Sequence, residues 1–156
     1  MTSDSGFQLA GKILPPASAP AQRVYVIDDH REVRASVSML LGTFGVATCA
    51  FSSAHSFIEK LPTLIPAPLL LDITMPGISG IELLETLAAR KIHWPVLIMT
   101  GLTDVPVVYR ALALGAMNVL EKPFSAEALD SAVMAALATM ADPDMLPPQE
   151  PLDAAR

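Results

Sequence analysis

Cysteine is almost absent from this chain of 156 residues, which contains only Cys49. A single cysteine cannot form a disulfide within the chain, so the sequence indicates a reduced, cytoplasmic protein. Cys49 lies in an apolar stretch with no base at a suggestive spacing, and we expect it to be a small core residue rather than a nucleophile. The N-terminus lacks a basic region followed by an apolar core, so we expect no secretory signal.

Charge, and basic charge above all, is scarce as well. Lys and Arg number 10 against 16 Asp and Glu, and the net charge of −6 argues against a nucleic-acid-binding surface. Only 17% of the residues are charged and 52% are hydrophobic, which requires either a membrane segment or additional buried surface. Residues 35–58 contain no Asp, Glu, Lys or Arg, but Gly42 and Gly45 interrupt them and the apolar spacing changes near Phe44. We therefore predict a helix followed by a strand there, and no membrane span.

Strand and helix patterns alternate five times along the middle of the chain. The predicted strands are 23–28, 46–51, 68–72, 95–99 and 117–121, and the predicted helices that follow them are 30–44, 54–61, 80–90, 104–114 and 126–140. Capping residues are expected before the third and fifth helices: Ser79 with Glu82, and Ser125. This alternation predicts an α/β domain over 23–140, with a parallel sheet covered by helices on both faces. Residues 1–22 are predicted to be a flexible arm and residues 141–156 a disordered Pro-rich tail.

Polar residues stand at the carboxyl ends of four of the predicted strands. Asp28 and Asp29 follow the first strand, Asp72 ends the third, Thr100 follows the fourth and Lys122 follows the fifth. Parallel strands in an open α/β sheet bring their carboxyl ends together, and ligands bind in the crevice outside those ends. Because all four positions share this edge, we interpret them as one site.

The residues of this site are chemically complementary. Three aspartates repel one another unless a cation lies among them, and Mg²⁺ is typically held by one or two carboxylates, water and a phosphate oxygen. With Mg²⁺ and Lys122 present, the formal charges of the three aspartates are balanced. A phosphoryl group on one carboxylate would add about −1.5 to −2, which Mg²⁺ and Lys122 are placed to offset. Thr100 could donate a hydrogen bond to one phosphoryl oxygen. The pattern therefore predicts a small pocket for Mg²⁺ and a phosphoryl group.

Each of these residues also has an ordinary structural explanation. Asp29 could cap the first helix with Glu32 as its partner, Asp72 and Thr100 could be turn residues, and Lys122 could be solvated. We expect the three histidines at the surface, the first of them beside the acidic pair at the start of a helix: His30, His55 and His93.

Several short motifs occur in a fixed order along the chain. They are Val26-Ile27-Asp28-Asp29, Leu70-Leu71-Asp72, Met75-Pro76-Gly77 with Ser79-Gly80, Thr100-Gly101, Asp104-Val105-Pro106, Gly115-Ala116 and Glu121-Lys122-Pro123-Phe124. Over residues 22–140 the chain thereby resembles the receiver domain of bacterial two-component response regulators, most of all those of the nitrogen-fixation regulator type. The resemblance implies a flavodoxin-like (βα)5 three-layer sandwich with the parallel sheet order 2-1-3-4-5.

The resemblance also implies the residues of a metal site. By motif position, Asp29 and Asp72 would ligate Mg²⁺ together with the backbone carbonyl of Thr74, and Asp28 would act through water. Asp72 would accept the phosphoryl group from a sensor histidine kinase or a phosphotransfer protein.

The resemblance implies that two further residues contact the phosphoryl group. They are Thr100 and Lys122, and a cis Lys122–Pro123 peptide bond would aim the lysine back at Asp72. A protein of this kind is a phosphoacceptor with at most slow self-dephosphorylation rather than an enzyme.

The chain departs from the family pattern in two ways that concern its output. The family usually carries Tyr or Phe three residues before its lysine, where the ring changes position on activation, and this chain has Val119 there. Regulators of this subtype normally continue into a helix-turn-helix DNA-binding domain, whereas this chain runs into the Pro-rich tail, so we expect a protein contact or onward phosphotransfer as the output. The fifth helix carries only Glu127 and Asp130 as charges, which leads us to expect a homodimer through the fourth helix, fifth strand and fifth helix.

Two other functions are compatible with parts of this pattern. A phosphohydrolase of the haloacid-dehalogenase type also uses Asp, Thr, Lys and Mg²⁺, but it needs an Asp-x-Asp pattern after its first strand and acidic residues after the lysine. The adjacent Asp28-Asp29 pair does not fit that requirement. A receiver-like scaffold that is never phosphorylated is the other alternative, favoured by Val119 and opposed by the complete acidic set.

Overall fold

A single parallel sheet of five strands forms the centre of the computed structural model, which describes residues 22–101 and 105–141. The strand order is β2-β1-β3-β4-β5, so the predicted order 2-1-3-4-5 is confirmed. The strands are β1 Arg23–Ile27, β2 Ala47–Phe51, β3 Leu69–Asp72, β4 Val96–Thr100 and β5 Asn118–Glu121. The helices are α1 Arg31–Thr43, α2 Ala54–Lys60, α3 Gly80–Ala89, α4 Val105–Ala113 and α5 Ala126–Ala141, with a short 3₁₀ turn at Leu61–Thr63.

The predicted elements within the described residues are all present, and each of their ends lies within one residue of the position that the sequence pattern predicts. The second helix ends at Lys60 and tightens into the 3₁₀ turn, because Pro62 has no amide hydrogen to continue the α-helical ladder. The predicted arm and tail lie outside the described residues apart from Gln22 and Ala141, and so does the predicted start of the fourth helix at Asp104.

Side chains of the buried strands point alternately to the two faces of the sheet and form a hydrophobic core on each face. On one face, strand residues such as Tyr25, Ile27, Leu71 and Ile98 pack against α2, α3 and α4. On the other face, strand residues such as Val24, Val26, Leu70 and Leu97 pack against α1 and α5. Strands buried on both faces read as continuous apolar runs, which is why LLL and VLIM mark β3 and β4 in the sequence. The result is the three-layer sandwich that the sequence predicts.

One expectation about an apolar residue is wrong. Cys49 is exposed rather than in the core, because β2 is an edge strand whose side chains are only partly covered. The first helix ends at Thr43, and Phe44, at its C-terminal cap, is 39% exposed. The charge-free stretch 35–58 forms the rest of α1, β2 and the start of α2. Among the described residues, no helix is long and apolar enough to cross a membrane.

The register of the sheet brings the carboxyl ends of four strands to one level. Ile27 pairs with Leu71, and Asp72 pairs with Met99, so the residues after β1 and at the end of β3 lie side by side. Thr100 pairs with Glu121, the residue before Lys122. The backbone geometry therefore positions the polar residues at one edge before any side-chain contact is considered.

Candidate functional site

Three aspartates and a histidine meet at this edge. Asp28 is fully buried and Asp72 is 3% exposed, whereas Asp29 is partly exposed. One ligand atom from each of Asp28, Asp29, His30 and Asp72 lies within 4.8 Å of the others. Carboxylates so close together repel one another unless a cation or a bound proton offsets their charge.

Lys122 supplies one such cation. Its Nζ lies 2.8 Å from Oδ2 of Asp28 and 3.8 Å from Oδ2 of Asp72, and its side chain is 20% exposed. The predicted cis Lys122–Pro123 bond is confirmed. The backbone N–H of Lys122 donates to the carbonyl of Thr100 at 2.7 Å, which ties the β5–α5 loop to the end of β4. In this structure the lysine therefore pairs first with Asp28 and only secondarily with Asp72.

The positions of Thr100 and Thr74 follow from the loops that leave the sheet. Thr100 is buried at the end of β4, next to the strand that carries Asp72. Thr74 has an exposed side chain, but its backbone N–H donates to Oδ1 of Asp72 at 3.1 Å. This hydrogen bond holds the carboxylate of Asp72 against the start of the β3–α3 loop, where the carbonyl of Thr74 also lies.

The electrostatic environment of Asp72 favours its neutral form. The pKa of Asp72 is raised from 3.8 to about 6, chiefly by burial and also by the nearby charges of Asp28 and Asp29, while the Thr74 N–H and the Lys122 ammonium oppose this rise. A carboxylate with a raised pKa in a cleft is a candidate for chemistry. A divalent cation among these groups would favour the ionised form, which is the form that can act as a nucleophile.

The acidic cluster also has the features of a cation site. Oδ1 of Asp29 is buried and has no hydrogen-bond partner among the described residues, although it lies 3.3 Å from Nδ1 of His30. Buried polar atoms normally have a hydrogen-bond partner. A buried carboxylate oxygen without one, inside an acidic cluster, is therefore a candidate ligand for a cation. Carboxylate oxygens with a neighbouring carbonyl form a donor set that suits Mg²⁺. The residues present therefore fit a magnesium ion.

His30 and Arg34 hold Asp28 in place, a role that the sequence pattern does not indicate for either residue. The backbone N–H of His30 donates to Oδ1 of Asp28 at 2.8 Å, and Nη1 of Arg34 donates to the carbonyl oxygen of Asp28 at 2.8 Å. His30 is the N-cap of α1, and no side chain caps that end of the helix, so the alternative reading of Asp29 as a helix cap is wrong. Among the other histidines, His55 and His93 are exposed as predicted.

Gly80 allows α3 to begin directly against the end of β3. A Cβ atom at this position would lie 2.6 Å from the carbonyl oxygen of Asp72 and 2.7 Å from Cα of Ile73, closer than real Cβ atoms come to backbone. The predicted capping box of Ser79 and Glu82 is confirmed, with hydrogen bonds of 2.8 and 3.3 Å. In the sequence Gly80 stands out only as part of a motif. The steric requirement for glycine arises from the close approach of the start of α3 to the end of β3.

Comparison with known proteins agrees with this architecture. A family model described as the response regulator receiver domain matches residues 24–134. The transcriptional regulatory protein FixJ of Azorhizobium caulinodans is 43% identical over 127 residues, covering 81% of this chain and 59% of that protein. FixJ of Bradyrhizobium diazoefficiens is 40% identical over 114 residues, covering 73% of this chain and 56% of that protein. This chain thus spans less than two thirds of the length of these relatives.

Solved structures show the same likeness in three dimensions. Full-length FixJ from B. japonicum superposes with a TM-score of 0.75 at 38% identity, covering 81% of this chain and 62% of that one. The structure titled FixJ-N superposes with a TM-score of 0.71 at 34% identity, covering 76% of this chain and 94% of that one. The resemblance read from the sequence motifs is confirmed: this chain belongs to the receiver-domain family of two-component response regulators.

Proposed function

We propose that this chain is a phosphorylation-controlled signalling module in which Asp72 accepts a phosphoryl group from a sensor histidine kinase or a phosphotransfer protein. The observation that carries the proposal is the environment of Asp72. Its carboxylate is almost fully buried, its pKa is raised to about 6, and it lies between an acidic cluster and the ammonium of Lys122. A surface aspartate with an ordinary turn role would have none of these features.

The reaction we propose is transfer of the phosphoryl group to a carboxylate oxygen. An oxygen of Asp72 attacks the phosphorus of a phosphohistidine, a new P–O bond forms and the P–N bond breaks. The electron pair of that bond stays on the imidazole nitrogen of the donor, which takes up a proton from solvent. The product is an acyl phosphate on Asp72, and the chain itself needs no further catalytic activity beyond slow hydrolysis of that bond.

The neighbouring residues have separate tasks in this proposal. Asp29, Asp72 and the carbonyl of Thr74 hold Mg²⁺, with Asp28 acting through water, and the bound ion offsets the charge of the transferring phosphoryl group. Lys122 contacts a phosphoryl oxygen, and its ammonium is already beside Asp72 because Asp28 holds it at 2.8 Å. Thr100, buried at the end of the adjacent strand, donates its hydroxyl to another phosphoryl oxygen.

We further propose that the output is a protein contact in the cytoplasm, including a homodimer through α4, β5 and α5. Large apolar side chains are exposed along α4 at positions one and two turns apart: Val105, Tyr109 and Leu112. Tyr109 is 66% exposed, and the spacing of the three side chains places them on one face of the helix, where they can form a single apolar patch. The exposed positions of α5 are Glu127 and small residues such as Ala135 and Ala138, so α4 contributes most of the exposed apolar area. Because Val119 replaces the usual aromatic residue, we expect dimer formation to depend only weakly on phosphorylation.

Acetyl phosphate provides the test, since it can donate a phosphoryl group without a kinase. The wild-type chain, incubated with acetyl phosphate and Mg²⁺, should gain the mass of one phosphoryl group, and chelation of Mg²⁺ should prevent the gain. The variant Asp72→Asn keeps the size of the side chain and serves as the matched control, provided that circular dichroism shows an unchanged fold. A wild-type protein that stays unmodified under these conditions would favour the receiver-like scaffold instead.

A further inference from the structure

The strand β2 lies at one edge of the sheet and pairs only with β1 among the described strands. Hydrogen bonds at its two ends show which of its residues face β1. The N–H of Ala47 donates to the carbonyl of Gln22 at 2.9 Å, and the carbonyl of Phe51 accepts from the N–H of Asp28 at 3.1 Å. Because backbone groups of successive residues in a strand point to opposite sides, the first, third and fifth residues of β2 face β1.

The second and fourth residues, Thr48 and Ala50, therefore turn their N–H and C=O groups away from the sheet. These backbone groups have no hydrogen-bond partner in the part of the chain that the structure describes. A row of unpaired backbone groups is a template for another strand, and proteins usually protect such an edge with Lys, Pro or a bulge. The sequence ATCAF of β2 contains neither residue, and the strand pairs residue for residue with β1 without a bulge.

The middle of β2 is open on both faces of the sheet. Cys49 is paired with Tyr25 and so lies on the face that carries α2, whereas Ala50 is paired with Val26 on the face that carries α1. Both Cys49 and Ala50 are exposed. Neither helix therefore covers the middle of the strand, and a second strand can approach to the spacing of about 4.8 Å that a ladder requires.

The exposed edge is complementary to itself about Cys49, the central residue of the strand. When two copies of β2 run antiparallel with their Cys49 residues opposite each other, Thr48 of each copy lies opposite Ala50 of the other. Every outward N–H and C=O group of these two residues then has a partner. A symmetric contact brings each side chain close to its own counterpart, so a charge near the axis would repel itself. Residues 35–58 contain no Asp, Glu, Lys or Arg, and this barrier is absent.

We propose that β2 is a self-association edge, at which two copies of this chain pair β2 with β2 in antiparallel orientation and join their sheets. The contact goes beyond the proposed dimer through α4, β5 and α5, because β5 lies at the opposite edge of the sheet. A ladder of this length buries less than the about 800 Å² per partner of a stable interface, so the pairing is weak and reversible.

Oxidation of Cys49 traps the pairing. In the proposed register the two Cys49 residues form a non-hydrogen-bonded pair with Cα atoms about 4.5 Å apart, within the about 4.4–6.8 Å that a disulfide spans. The full chain with Tyr109→Glu, which removes the α4 contact, is treated with diamide. Two thiols become one disulfide, and diamide takes up their two hydrogens. The matched control also carries Ala47→Cys and Cys49→Ser, which moves the thiol to an exposed position on the same face, about 14 Å from its counterpart in the pairing.

We expect the thiol at position 49 to cross-link about tenfold or more faster than the thiol at position 47, because pairing raises its effective concentration. Ala50→Pro removes an outward N–H without removing a hydrogen bond to β1 and should lower the rate to that of the control. Ala50→Ser keeps the N–H and should cross-link like the parent. Equal rates for positions 49 and 47 would overturn the proposal, as they would if another segment or protein occupied the edge.

Amide resonances test the ladder without any change to the strand. In ¹⁵N spectra of the Tyr109→Glu chain, the Thr48 and Ala50 amides should shift as the protein concentration rises. The Ala47 amide already donates to Gln22 and should shift less. Thr48 and Ala50 resonances that do not depend on concentration would contradict the pairing. These measurements need neither Mg²⁺ nor a phosphoryl donor, so their outcome is independent of the proposed function.

Discussion

Asp72 should destabilise the folded chain when no cation is bound, because its burial disfavours the charged form. The pKa of Asp72 rises from 3.8 to about 6 on folding. Each pKa unit corresponds to about 1.4 kcal/mol, so ionised Asp72 lowers the free energy of unfolding by about 3 kcal/mol near neutral pH. Replacing Asp72 with Asn removes the charge and keeps an oxygen that can accept the hydrogen bond from Thr74. We therefore expect Asp72→Asn to be more stable than the wild type in metal-free buffer by up to this amount.

The direction of the pKa shift of Asp72 determines how the stability penalty depends on pH. Since the folded pKa is higher than the unfolded one, the folded state binds the additional proton, and the penalty is absent below about pH 4, where Asp72 is neutral in both states. The penalty grows as the pH rises from about 4 to about 6 and is constant above that range. The stability difference between the variant and the wild type should follow the same course.

Urea denaturation monitored by Trp94 fluorescence measures this difference, since Trp94 is the one tryptophan of the chain and packs against the core. Mg²⁺ should reverse the order by stabilising the wild type more than Asp72→Asn, because an ion that binds the folded state adds to its stability by mass action. Equal stability of the two proteins in metal-free buffer at neutral pH, or a less stable variant, would refute the electrostatic reasoning.

Three other substitutions test separate parts of the structure. Lys122→Met leaves the buried Asp28 without its ammonium partner and should lower the free energy of unfolding by up to about 3 kcal/mol, measured by urea denaturation; an unchanged midpoint would contradict the pairing. Gly80→Ala should cost about 1–3 kcal/mol by the same assay because its Cβ meets backbone at 2.6 Å, whereas Gly42→Ala, with nothing within 4 Å, should be neutral or stabilising. Sedimentation at tens of micromolar should show a dimer of the unphosphorylated wild type and a monomer of Tyr109→Glu, and a monomeric wild type would end the proposed interface.

The fold could be predicted from the sequence because the apolar runs and the capping residues indicate the same order of strands and helices. Continuous apolar runs mark the buried strands β3 and β4, and the capping box of Ser79 with Glu82 marks the start of α3. The edge strand was harder, since the apolar sequence around Cys49 resembles that of a buried strand. Which strand lies at an edge depends on the order of pairing, which the family resemblance implied but the apolar pattern around Cys49 does not show.

The convergence of the candidate residues at one edge of the sheet could be predicted, but their pairing could not. Strand ends brought Asp28, Asp72 and Lys122 to one edge, as the sequence indicated. The preference of Lys122 for Asp28 over Asp72 depends on distances of 2.8 and 3.8 Å that only the folded loops define. The contact of Arg34 with the carbonyl of Asp28 left no recognisable signal, because an arginine in the first turn of a helix is usually solvated.

The most direct test of the central claim is chemical trapping of the phosphorylated residue. The chain is incubated with acetyl phosphate and Mg²⁺, treated with sodium borodeuteride and digested, and the peptides are sequenced by mass spectrometry. An acyl phosphate is reduced to the alcohol under these conditions, so a phosphorylated aspartate becomes deuterium-labelled homoserine. We expect the label at residue 72 and at no other aspartate of the cluster. A label at Asp28 or Asp29, or full labelling that persists in Asp72→Asn, would contradict the account.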